Sequence, residues 1–212
     1  ILAPASTDYI VLTAHFDHLG KKGNHIFNGA DDNASGTAAT LALMKKLTEH
    51  RAKLKHNILV VFTDGEESGL KGSRAFVKQN ARLMAKVKLN INLDMLAGSK
   101  YSNRLHFFER RIDELLSPEQ EQKFAQHQQY ADFKVLKGFR RRLISENQHI
   151  AWLKASDHYA FYRQGIPFIY YGVGVHANYH TPNDTFENSN TQLLVQAANT
   201  VYHQLLLLDQ MI

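Results

Sequence analysis

The chain contains no cysteine. Disulfide bridges, thiolate zinc sites and a cysteine nucleophile are thereby excluded, while the compartment stays open. No apolar run approaches the ~18 residues that a membrane-spanning helix needs. The sequence has no HExxH pair, no G-x-S-x-G elbow and no phosphate loop, and Gly172-Val173-Gly174 lacks the third glycine of a dinucleotide loop. Internal repeats, low-complexity segments and linkers are also missing. What is left is a compact chain whose chemistry rests on histidine, carboxylate and hydroxyl groups.

The chain has 212 residues, 44% of them hydrophobic, enough for one globular domain with a sizeable core. It opens on Ile1, which reads as the start of an excised domain. The formal charge is +5. Part of the excess sits in Lys134, Lys137, Arg140, Arg141 and Arg142. No stacking aromatics are regularly interleaved there, so this is a solvated face and not a nucleic-acid surface. Twelve histidines are many for this length and direct attention to metal chemistry.

Tyr9 to Ala14, Asn57 to Thr63, Leu89 to Leu93 and Ile166 to Tyr171 are apolar runs that predict buried strands. Between and around them, Asn33 to Leu47, Gly72 to Gln79, Asp157 to Arg163 and Gln192 to Leu208 predict helices. This alternation predicts an α/β fold of three layers, a mostly parallel mixed sheet between helices. Residues 97 to 147 are less regular. Arg104 to Phe108 is expected as an outer strand, Pro118 to Gln129 as a helix behind Ser117, and Phe133 to Leu136 as another strand.

The stretch that organises the rest is Asn28-Gly29-Ala30-Asp31-Asp32-Asn33-Ala34-Ser35-Gly36. It sets two carboxylates and an amide between glycines that let the backbone turn sharply. Alone, it reads as an acidic turn capping a helix. Four other stretches change the balance. His15 ends the first strand, Glu66 and Glu67 follow the second, Asp94 ends the third, and His180 lies in the loop after the fourth. Each has a plain structural reading: a strand-end polar pair in His15-Phe16-Asp17, a solvated turn in Glu66-Glu67, an ordinary loop in His180-Thr181-Pro182. A carboxylate at Asp94, closing an apolar run, is costly unless paired or metal-bound. In a parallel sheet the carboxyl ends of the strands share one edge, where ligands collect. Imidazole and carboxylate oxygen converging on that edge suit zinc. Asp17 is placed to accept from the second nitrogen of His15.

Six stretches, AHFDHLG (14–20), NGADDNASG (28–36), DGEESGLKGS (64–73), NLDM (92–95), SDHYAFYRQGIP (156–167) and HTPNDT (180–185), resemble the co-catalytic dizinc aminopeptidases of the bacterial leucyl and aminopeptidase Y type. The resemblance implies the zinc-dependent exopeptidase fold, phosphorylase/hydrolase-like, as a single catalytic domain over residues 1–212 that lacks some N-terminal chain. It implies two Zn2+ per chain, with His15 and Asp94 on one ion, Glu67 and His180 on the other, and Asp32 bridging. Two zinc ions would be balanced by Asp32, Glu67, Asp94 and a bridging hydroxide. Glu66 is then the general base for a water held between the ions. Asp17 and Asp157 stand behind the ligands, and the bond after the bridging aspartate is expected to be cis. The implied substrate is a peptide with a free N-terminus, and the implied location is extracytoplasmic. Relatives often carry a tyrosine before Ser-Asp-His as an oxyanion donor. Trp152, Leu153 and Lys154 stand there in this chain, leaving Tyr171 and Tyr179 as candidates.

Two other classes compete. A glutaminyl cyclase-like zinc acyltransferase shares the fold and many ligands, but resembles the GADDNASG loop poorly. A non-catalytic interaction domain on this fold typically loses ligands, whereas all five and the base are present here. A carboxypeptidase needs a cation for the substrate carboxylate, for which only Arg74 or Lys71 offers itself. Asn33-Ala34-Ser35 and Asn183-Asp184-Thr185 match the glycosylation pattern, but a glycan on either loop would obstruct the site.

Overall fold

The computed structural model describes residues 1–127, 133–139, 143–145, 148–149 and 152–212. Its strands are β1 (Tyr9–His15), β2 (Gly20–Lys22), β3 (His25–Phe27), β4 (Asn57–Thr63), β5 (Val87–Leu93), β6 (Arg104–Arg110), β7 (Lys134–Lys137), β8 (Leu143–Ser145), β9 (Gln148–His149) and β10 (Phe168–Gly172). Its α-helices are α1 (Gly36–Glu49), α2 (Lys71–Gln79), α3 (Ala81–Met84), α4 (Pro118–His127), α5 (His158–Tyr162) and α6 (Thr191–Met211). Six strands form one sheet in the order β4-β1-β5-β10-β6-β7. The first four are mutually parallel, while β6 runs antiparallel to β10 and β7 parallel to β6. This is the mixed, mostly parallel sheet expected from the alternation of elements. The carboxyl ends of β4, β1, β5 and β10 therefore lie along one edge.

Both faces of the sheet are covered, as the near-continuous apolar runs require. On one face, Ile10, Leu12, Leu89, Ile91 and Ile169 pack with Leu43 and Leu47 of α1 and Val201, Leu205 and Leu208 of α6. The buried positions of α1, at 36, 39, 40, 43 and 47, follow helical spacing. Burial of each leucine contributes roughly 1.5–3 kcal/mol. On the other face, Val11 and Val87 pack with Val77 of α2, Met84 of α3 and Phe161 of α5. The Asn190 side chain accepts the Leu193 N–H at 3.0 Å and so caps α6. At its far end, buried Asp209 accepts the N–H groups of Lys55 and His56, both at 2.9 Å, fastening the helix to the chain entering β4.

Two expectations are corrected, and part of a third lies outside the described residues. The first helix starts at Gly36 and not at Asn33, because residues 30–35 form a tight irregular turn with Asp32 and Asn33 outside helical backbone angles. The Asn33 side chain is committed elsewhere: its oxygen accepts from Gly36 N and Met95 N, and its nitrogen donates to Leu93 O. β6 is not outermost, since β7 pairs outside it. The predicted helix at 118–129 is described only to His127, and Arg140 to Arg142 also lie outside the described residues. The β2–β3 hairpin carries no apolar alternation and has no counterpart among the predicted strands. No helix among the described residues is long and apolar enough to cross a membrane.

Candidate metal centre

Each predicted ligand reaches the carboxyl edge on its own segment. His15 closes β1, and the Phe16 N–H donates to Thr63 O at 3.0 Å, which keeps the β1 and β4 exits side by side. Glu66 and Glu67 follow β4 in a loop fixed by Asp17, whose two carboxylate oxygens accept the Glu66 and Glu67 N–H groups at 3.1 and 3.3 Å. Asp94 follows β5, and its N–H donates to Tyr171 O at 3.1 Å, carrying the β5–β10 pairing one residue past the strand. His180 arrives on the loop after β10. The Asp32 loop is held from the same side by buried Asp184, which accepts the Asp31 N–H at 2.9 Å and the Asp32 N–H at 3.0 Å.

Two glycines make this packing feasible. A Cβ at Gly36 would lie 2.4 Å from Leu93 O, so only glycine lets α1 begin against the end of β5. Gly29 has φ of +66°, and a Cβ there would lie 2.4 Å from Asp32 O. The Asp32–Asn33 peptide bond between them is cis.

The result is a double cluster. His15 Nε2 lies 3.4 Å from Asp32 Oδ1 and 3.4 Å from Asp94 Oδ1. His180 Nε2 lies 3.1 Å from Asp32 Oδ2 and 3.3 Å from Glu67 Oε2. One carboxylate thus turns one oxygen to each imidazole. His15 Nδ1 faces the Asp17 backbone carbonyl at 3.1 Å and the Asp17 carboxylate at 3.6 Å. With acceptors on that side, Nδ1 is a donor, and Nε2 is the nitrogen directed at the Asp32 and Asp94 carboxylates. His15 thus meets Asp17 mainly at the backbone oxygen, while the Asp17 carboxylate accepts from the Glu66-Glu67 loop.

Such a cluster of buried carboxylates is unfavourable unless something positive joins it. Burial alone would lower the His15 pKa, but Asp94, Asp17 and Asp32 raise it far above its usual value. Burial works against the charge on Asp32, yet His15 and His180 hold it well below the carboxylate range. Burial, then the charge of Asp94, push Glu66 up to about 9. A dication beside it acts in the opposite direction. Asp94 Oδ1, Glu67 Oε1 and His180 Nε2 are buried without a hydrogen-bond partner. Two groups of donor atoms, His15–Asp32–Asp94 and His18–Asp32–Glu67, each lie within 4.8 Å of one another. Orphaned donor atoms in that arrangement, all imidazole nitrogen or carboxylate oxygen, fit zinc.

The remaining expected residues separate. Tyr179 lines the cleft beside the cluster and stacks on His180 with ring centroids 3.8 Å apart. Tyr171 does not reach it. Its hydroxyl donates to Gln204 Oε1 of α6, in the core on the opposite face. Strand side chains alternate, so the neighbouring Tyr170 lines the cleft instead and donates to Asp94 O at 3.4 Å. Asp157 accepts from Thr63 Oγ1 at 2.5 Å, beneath the end of β4, and burial raises its pKa. Asp31 turns away from the cluster and binds Ala97 N at 2.7 Å and His176 Nε2 at 2.9 Å. The cleft has a volume of about 230 Å³, with Met95, Trp152, Ala155 and Val175 on its apolar side. Phe139 stacks on Trp152 at 3.9 Å between centroids.

Sequence reasoning missed Asp184, His176, Tyr170 and His18. Asp184 sits in HTPNDT and His18 in AHFDHLG, so both were within the matching stretches, but no spacing rule separates their roles from those of ordinary loop residues.

A profile of peptidase family M28 matches residues 1–205. The chain belongs to peptidase family M28. Among curated members, aminopeptidase YwaD of Bacillus subtilis is 26% identical over 201 residues, covering 92% of this chain and 40% of that protein. Among solved structures, a zinc aminopeptidase of B. subtilis superposes with a TM-score of 0.71 at 23% identity, over 96% of this chain and 47% of the other. A glutaminyl cyclase of an Acidobacteriales bacterium superposes with a TM-score of 0.68 at 18% identity, over 97% of this chain and 71% of the other. The M28 fold is therefore shared by two chemistries. The chain spans less than half the length of the curated relatives it matches.

Proposed function

We propose that this chain carries the catalytic centre of a zinc-dependent aminopeptidase that holds two zinc ions. His15 and Asp94 hold one ion, Glu67 and His180 hold the other, and Asp32 is common to both. The observation that carries this reading is the Asp32 carboxylate, with Oδ1 at 3.4 Å from His15 Nε2 and Oδ2 at 3.1 Å from His180 Nε2. Bound zinc supplies Lewis acidity toward a carbonyl and lowers the pKa of water.

The protein's own groups do the rest. Glu66 lines the cleft next to Glu67 and Asp94. It takes the proton of the attacking water and passes it to the leaving amine. Its loop is fixed at the backbone by Asp17. Tyr179, in the cleft against His180, donates to the oxygen that gains charge. Burial, then the charge of Asp32, raise its pKa, so the phenol keeps its proton and remains a donor. The α-amine of a peptide finds acceptor oxygens at the same cluster, which positions the first carbonyl over the centre.

The test follows release of aniline from leucyl anilide and from its N-acetyl form, with and without chelator. The free form should be cleaved, the blocked form nearly inert, and chelator should abolish turnover until zinc is restored. Comparable rates on both forms would exclude an aminopeptidase. A peptide with N-terminal glutamine, cyclised instead of shortened, would transfer the reading to the acyltransferase.

A further inference from the structure

His18 follows β1 in the loop that carries His15 and Asp17. Its Nδ1 lies 2.9 Å from Glu67 Oε1 and 3.8 Å from Asp32 Oδ2. Its side chain is only 8% exposed, and neither ring nitrogen has a hydrogen-bond partner. Glu67 Oε1 is also unpartnered. The 2.9 Å approach therefore brings nitrogen and oxygen together without the geometry of a hydrogen bond. A buried imidazole with both nitrogens unsatisfied is costly, roughly 1–3 kcal/mol for each polar group. The ring nevertheless fits closely against the Asp32 loop. A Cβ at Gly29 would lie 2.7 Å from His18 Cγ, so the glycine leaves space for it. The His18 and His180 rings meet edge-on, with centroids 5.8 Å apart at 66°, approaching the Asp32–Glu67 carboxylates from different directions.

We infer that His18 is itself a ligand, through Nδ1, of the ion held by Asp32, Glu67 and His180. The inference rests on the dizinc reading above. It makes the two ions unequal. One has two imidazoles and two carboxylates; the other has His15 with Asp32 and Asp94. More protein donors, and more nitrogen, favour zinc at the Glu67 side. That ion is accordingly the more tightly held and the last to leave under chelation.

The experiment titrates metal-free parent, His18→Ala and His18→Gln with zinc against a chromophoric chelator, and records the visible spectra of the cobalt-substituted proteins. The parent should bind two ions of different affinity. In both variants the tighter step should weaken by more than the ~100-fold ceiling typical of groups behind the ligands. The other step should be unchanged, and one cobalt site should change its spectrum. Retention of both affinities within about threefold, with an unaltered cobalt spectrum, would overturn the assignment even if turnover fell. Equal weakening of both steps would mark His18 as a structural support and overturn it too. If the variants fail to fold, nitrogen-labelled parent loaded with cadmium decides: the His18 Nδ1 signal should couple to cadmium, and its absence beside coupled His15 and His180 signals sinks the proposal. A parent that binds a single ion and spares leucyl anilide would instead refute the dizinc aminopeptidase reading. Two ions held with the same affinities in parent and variants alike would refute only the role of His18.

Discussion

Asp184 Oδ2 accepts the backbone N–H of Asp32 at 3.0 Å, across 152 residues of sequence. Its other oxygen accepts the Asp31 N–H at 2.9 Å. The loop that carries Asp32 is therefore held by the loop that carries His180. Asp184→Ala leaves two buried donors unpaired and frees the Asp32 loop. Zinc affinity should fall by ~10–100-fold, as for other groups that orient ligands. Asp184→Asn, which keeps one acceptor oxygen, should lose less. Chelator competition measures both, and equal affinity in all three proteins would show that Asp32 needs no such anchor.

Glu66 and Glu67 should separate by function although they are neighbours. Glu67→Ala removes a proposed ligand, so bound zinc should drop. Glu66→Ala should retain zinc and lose turnover by ~10²–10⁴-fold. Metal content by elemental analysis beside the anilide rate distinguishes them. A nearly active Glu66→Ala would mean that another group moves the proton.

Asp32→Ala should disturb both ions at once, since the carboxylate faces both clusters. Asp94→Ala should weaken only the ion at His15. Zinc stoichiometry of the two variants tests the sharing. Loss of one ion from each would reduce Asp32 to an ordinary ligand.

Tyr171→Phe and Tyr170→Phe should act on different properties. Removing the Tyr171 hydroxyl leaves buried Gln204 without its donor, at a cost of about 1–3 kcal/mol. Thermal unfolding should detect this, while kcat stays near that of the parent. Tyr170→Phe should instead show in the kinetics, because that residue lines the cleft. A fall in kcat for Tyr171→Phe at unchanged stability would contradict the placement of Tyr171 in the core.

His158 should make the protein sensitive to acid. Its ring is fully buried against Phe168 and Tyr170, and burial pushes its pKa down to about 3. Its Nε2 donates to Trp152 O at 3.0 Å as the neutral tautomer. The unfolded chain takes up this proton below ~6.5, while the folded chain refuses it until much lower pH. His158 therefore withdraws stability as pH falls from ~6.5 toward 3, by about 1.4 kcal/mol per pH unit. Denaturant unfolding of metal-free parent and His158→Phe checks this. The parent curve should fall more steeply with acid by one proton, and parallel curves would rule out a buried neutral histidine.

The sequence by itself determined the strand order of the chemistry. Apolar runs ending in His15, Glu66-Glu67 and Asp94, with His180 after the last, place the proposed ligands because parallel strands bring their carboxyl ends to one edge. The choice of Asp32 over Asp31 came only through resemblance; in the fold Asp31 is occupied by Ala97 N and His176, while Asp32 faces His15 and His180. Tertiary structure alone decided the finer roles. Tyr170 and Tyr171 are adjacent tyrosines on one strand, and only the sheet's two different faces assign one to the cleft and the other to α6. Helical spacing carried the first helix back to Asn33, but the hydrogen bonds of its side chain to Leu93 and Met95 moved the start to Gly36. His18 and Asp184 meet Glu67, Asp31 and Asp32 across long stretches of sequence or on separate loops. Local pattern records periodicity and turn chemistry, whereas a hydrogen bond between residues 32 and 184 exists only once the core has brought two loops together.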